Sequence, residues 1–115
     1  MTKAFEVEER TFPWHSNGWS LIKALWRDIE DETHHARERF NFPGCHLEID
    51  VHNRSYWLSV ITEEIGKLCQ CVNKLQISRD ETVRDGWQIE GYHRIITSLS
   101  LLRRLAENWK NLPDK

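Results

Sequence analysis

The stretch "HNRSYWLSVITEEIGKLCQCVNKL", residues 52–75, sets the fold class of this chain. Trp57, Val60, Ile61, Ile65, Leu68, Val72 and Leu75 recur at spacings close to a heptad seam, the period of an amphipathic helix. The reading places a helix over residues 54–75, with Asn53 as its cap. Two adjacent carboxylates, Glu63 and Glu64, interrupt the pattern. At about 100° per residue, Glu64 falls between Val60, Ile61 and Leu68, inside the apolar stripe, while Glu63 and Lys67 share its flank. An inward carboxylate must be paired, protonated or metal-bound, because an isolated buried charge is too costly. Three readings of Glu64 follow: a salt bridge to a Lys or Arg of another helix, a metal or substrate ligand, or a partly exposed surface acid.

Outward from this stretch, Trp19, Ile22, Leu25, Trp26 and Ile29 predict a helix over residues 17–40, capped by Asn17 or Ser16. Residues 1–16 read as an extended or frayed arm, since Pro13 disfavours helix before it. Pro43 and Gly44 break the chain after residue 40. Beyond them, His46, Glu48, Asp50 and His52 alternate with Leu47, Ile49 and Val51, a period-two pattern that fits a short extended segment. Ser78 and Glu81 stand at capping-box spacing, and Gly86 reads as an interruption. A last helix is expected over residues 87–110, with a stripe of Tyr92, Ile95, Ile96, Leu99, Leu102, Ala106 and Trp109. Leu101 and Leu105 lie off that stripe, so this helix should be buried on more than one side. The expected architecture is one all-α domain, residues 1–115, a bundle of three main helices.

The composition agrees with a single globular domain. The chain has 115 residues, 39% hydrophobic and 30% charged, which is not a disordered composition. Its six tryptophans favour a core plus an interface, hence a dimer or higher homo-oligomer. A net charge of −2 argues against a nucleic-acid surface. No apolar run is long enough for a membrane span, and the first residues lack a secretory core. Three cysteines with no framework spacing fit reduced thiols in a cytoplasmic protein. Cys69 and Cys71 would point about 200° apart on a helix and so do not converge on a metal.

The motif "ITEEIGKLCQCVN" resembles the first motif helix of the MazG-like family, the all-α nucleoside triphosphate pyrophosphohydrolases. That family writes Glu-Glu-x-Gly-Glu there and Glu-x-x-Asp on a later helix. Glu63, Glu64 and Gly66 match the first pattern, and Glu90 in "IEGYHRIITSLSLLRRLAENW" takes the first acidic position of the second. The resemblance covers residues 50–110. It departs at two places, Lys67 for the third Glu and His93 for the Asp. What it implies is a magnesium site of Glu63, Glu64 and Glu90, with Glu63 and Glu64 as the catalytic acids. A metal-polarised water would cleave a nucleoside triphosphate to the monophosphate and pyrophosphate. Lys67, His93 and Arg94 would line the substrate, and Trp57 would stack on the base. With Lys67 offering no ligand when protonated, the resemblance also allows an eroded site that binds a nucleotide without turnover. The alternative is a non-catalytic helical interaction protein that keeps the scaffold and uses its Trp-rich surface for partners.

Two further groupings carry plainer readings. His46, Glu48, Asp50 and His52 would share one face of an extended segment, a polar loop face before a metal site. His34 and His35 diverge by about 100° on a helix and read as a solvated helix face.

Overall fold

The computed structural model describes residues 12–15, 17–40 and 52–114. A 3-10 turn at Pro13–His15 is followed by three helices, α1 Gly18–Phe40, α2 Arg54–Ile77 and α3 Glu81–Asn108. Among the described residues every regular element is helical. No described helix is long and apolar enough to cross a membrane.

α2 forms where its apolar period predicts, and Asn53 caps it by accepting from the Tyr56 amide at 2.8 Å. The connection to α3 is only residues 78–80 long, so the two helices pack antiparallel. α3 begins earlier than the sequence reading placed it. Asp80, not Ser78, is the N-cap, accepting from the Val83 amide at 3.1 Å, and the helix runs through Gly86 without a break. A glycine inside a helix costs only about 1 kcal/mol, which the rest of a 28-residue helix absorbs. Ser78 instead closes α2 through its amide to the Lys74 carbonyl. Arg84 donates to the Leu75 and Ser78 carbonyls. One turn of α3 thus satisfies C-terminal carbonyls of α2 that no helical amide reaches.

α3 is the central element, as its wide apolar arc predicts. On one side Leu101 and Leu105 pack with Trp57, Ile61 and Leu112. On another, Tyr92 and Ile96 pack with Phe12 and Ile29. α1 runs in the same direction as α3, held at its rim by Arg103 to Glu30 and Arg37 to Glu107. Only part of the expected α1 stripe reaches the core: Ile29 is buried there with Leu25 packed beside it. Trp19 and Trp26 are 75% and 60% exposed, and Ile22 is exposed with them. The inner face is Ala24, Asp28, Ile29, Thr33 and Ala36. Small alanines allow the helices to approach, and the two polar residues are satisfied internally. Thr33 Oγ1 donates to the Ile29 carbonyl at 2.6 Å, and Asp28 accepts from Tyr92 and Arg27.

The N-terminal arm is also corrected where it is described. Residues 12–15 are a folded turn rather than part of an extended or frayed arm. Phe12 is buried, stacks on Trp14 at 4.4 Å and meets Tyr92 edge-on at 5.6 Å. Residues 1–11, and the alternating segment that holds His46, Glu48 and Asp50, lie outside the described residues.

Candidate functional site

Glu63, Glu64 and Lys67 come from the middle of α2, and Glu90, His93 and Arg94 from the N-terminal half of α3. The antiparallel packing brings Glu64 against Arg94. Glu64 is buried, 8% exposed, as its place in the apolar stripe requires, and of the three readings the salt bridge is the one realised. Lys67 Nζ donates to one carboxylate oxygen at 3.0 Å, three residues on along α2. Arg94 Nη1 donates to the other at 3.3 Å from α3. The second arm of Arg94 reaches Glu90 at 3.0 Å, four residues back on its own helix. Two carboxylates and two cations therefore form one charge-balanced chain across the helix pair.

This geometry does not fit the magnesium site that the resemblance implies. Magnesium needs several oxygen donors free to converge on it. Both oxygens of Glu64 are engaged by the chain's own cations, and Glu90 is engaged by Arg94. Glu63 is exposed on the flank of α2. Among the described residues no three His, Cys, Asp or Glu side chains come close enough to hold a metal ion. Glu63, Glu64 and Glu90 thus do not assemble into a ligand set. Trp57 is likewise corrected. Its ring is 0% exposed, inside the α2–α3 core with the Arg104 guanidinium 5.0 Å above it, so neither face is open to a base.

Two residues that the sequence reading missed belong to this region. Glu32 projects from the inner face of α1, and burial, with the charge of Glu64 adding to it, raises its pKa. The signal was its place one turn after Asp28, on the face that proved to be internal. Trp87 lines a cavity of about 600 Å³ together with Lys67, Cys71, Glu90 and Arg94. It lies three and seven residues before Glu90 and Arg94, a helical spacing that puts all three on one face. Cys71 is buried, and desolvation, with Glu90 contributing, raises its thiol pKa. A thiol held protonated is a poor nucleophile. Cys69, two residues earlier, is exposed, the divergence that helical geometry predicts. His34 pairs with Glu38 at 3.0 Å on the solvated face of α1, and His52 stacks on Tyr56 at 3.9 Å.

No known family model, curated protein or solved structure matches the chain.

Proposed function

We propose that this chain acts as a helical interaction protein, and that the polar centre of its α2–α3 pair is a structural ion-pair network. The observation that carries this reading is the double engagement of Glu64 by Lys67 and Arg94. A carboxylate in that state holds two helices in register and is not poised to bind a metal. The likeness of residues 63–66 to the MazG-like motif is compatible with it: Lys67 stands where that family has a third carboxylate, and its ammonium takes the place of a cation.

A second reading, binding of a nucleotide without turnover, draws on the cavity where Trp87 stands beside Lys67 and Arg94. One experiment separates the two from each other and from catalysis. Magnesium and manganese are titrated calorimetrically, with and without a non-hydrolysable nucleoside triphosphate, and pyrophosphate release is assayed in parallel. The interaction reading expects no saturable heat and no release. Saturable nucleotide binding that does not depend on metal would favour the second reading. Metal binding with pyrophosphate release, both lost in Glu64→Gln, would establish a hydrolase.

A further inference from the structure

The α2–α3 pair has two open faces of opposite character. The charged side chains Glu63, Lys67, Lys74, Glu90 and Arg94 lie on or beside the one that holds the network. On the other, α2 presents Leu58, Thr62, Ile65, Cys69, Val72 and Gln76, spaced alternately by four and three residues. α3 presents Gln88, Ile95, Leu102 and Ala106, and its C-cap Trp109 follows on the same side. Leu58, Ile65 and Val72 are seven residues apart in turn, and so are Ile95, Leu102 and Trp109. Each of these six large apolar side chains is between 40% and 56% exposed. The two rows meet on one side of the pair. Val72 and Ile95 line the same apolar cavity of about 540 Å³, with Trp14, Leu68, Leu75 and Tyr92. At the far end Arg54 lies 4.9 Å over the Trp109 ring.

We propose that this face is a dimer interface whose occupant is a second copy of this chain, closing two helical pairs into a four-helix core. The inference rests on the interaction reading above and names its partner. Three observations select a second copy. First, seven-residue spacing on two antiparallel helices is the seam of a helical bundle, in which side chains of one pair enter holes of the other. The cavity beside Val72 and Ile95 opens between the two rows. Second, none of the eleven positions named is charged, in a chain that is 30% charged. An interface between identical copies sets each patch against itself, so a face of one charge sign repels its own copy and a neutral one does not. Third, the area is right. From Gln88 to Trp109 the face runs about 32 Å at 1.5 Å per residue. Two packed helices are about 20 Å across. The footprint of roughly 600 Å², before side-chain relief is added, approaches the roughly 800 Å² per partner of a standard stable interface.

The test is the mass of the full chain by light scattering and sedimentation across a dilution series. The expected result is twice 13.8 kDa, with Ile65→Glu and Leu102→Glu each raising the dimer dissociation constant by about 100-fold or more. Both positions are open on the single chain, so these variants keep their helical circular dichroism. Lys74→Gln, on α2 but off this face, keeps the dimer. A monomer at every concentration overturns the proposal. So does a dimer that survives both glutamates and is lost in Trp19→Glu or Trp26→Glu instead. The metal and nucleotide titration reads the earlier proposal separately. A monomer that binds no metal overturns the interface alone, and a dimer that hydrolyses a triphosphate overturns the interaction reading alone.

Discussion

Glu64 shows how far one residue's fate depends on its neighbours. Its carboxylate is buried because its helical position demands it, and it stays there because Lys67 and Arg94 supply donors to both oxygens. Glu64→Gln keeps the shape and weakens both charge-assisted bonds. Chemical denaturation should show a loss of about 1–2 kcal/mol, the lower part of the range for a buried group left short of a partner, since Lys67 reaches water. Glu32 sits on the opposite side of this balance. Burial and the Glu64 charge raise its pKa, so the folded state holds its proton more tightly than the unfolded chain does. Stability is then gained as pH falls through that raised value and lost as pH rises through it. Glu32→Gln should therefore stabilise the fold at neutral pH, with a gain that shrinks in mildly acidic buffer; denaturation curves at the two pH values check it.

At the scale of the elements, α2 runs unbroken through Gly66 and α3 through Gly86. A Cβ placed on Gly66 or Gly86 would meet nothing within 4 Å. Gly66→Ala and Gly86→Ala should each raise stability by about 0.5–1 kcal/mol through lower unfolded-state entropy and better helix propensity. Thermal melts would register the change. If Gly86 broke the helix, alanine there would destabilise instead. The cap of α3 offers a matched pair of substitutions. Asp80→Ala removes the bond to the Val83 amide and should cost about 1 kcal/mol. Ser78→Ala should cost less, because Ser78 closes α2 through its backbone amide rather than its side chain.

Over the whole molecule, the way α1 is attached differs from the way α2 is attached. α2 is joined to α3 by the Trp57, Ile61, Leu101 and Leu105 core. α1 has a smaller apolar contact with α3 and a rim of ion pairs, Arg103 to Glu30 and Arg37 to Glu107. A hydrogen bond from Arg103 lowers the pKa of Glu30, and one from Arg37 lowers that of Glu107. Depressed carboxylates contribute stability above their unfolded-state value and lose it as pH falls through the folded one. α1 should consequently lose amide-exchange protection in acid before α2 and α3 do. Exchange measured between neutral and strongly acidic pH would check the order. Both rim pairs are largely solvated, so added salt at neutral pH should weaken the same contacts only slightly.

The sequence by itself determined the helices, because a three-to-four-residue apolar period can be satisfied only by a helix with one buried face. It also determined that α3 would be covered on more than one side, since Leu101 and Leu105 lie off the stripe that holds Tyr92 and Ile96. It placed Glu64 inward for the same reason. What only the tertiary structure decided was which apolar residues find a partner. Trp19, Ile22 and Trp26 repeat as regularly as Trp57 and Ile61, yet α1 turns Ala24, Asp28 and Thr33 inward. Periodicity marks a face and does not say which neighbour meets it. The state of the acidic centre was equally hidden. Glu64 and Glu90 share the Arg94 guanidinium while Glu63 stays exposed on the flank of α2, and it is the approach of Arg94 from a second helix that turns a would-be ligand into an ion pair. Short-range spacing fixes direction around one helix axis; the distance between charges on two helices is set only when their cores pack.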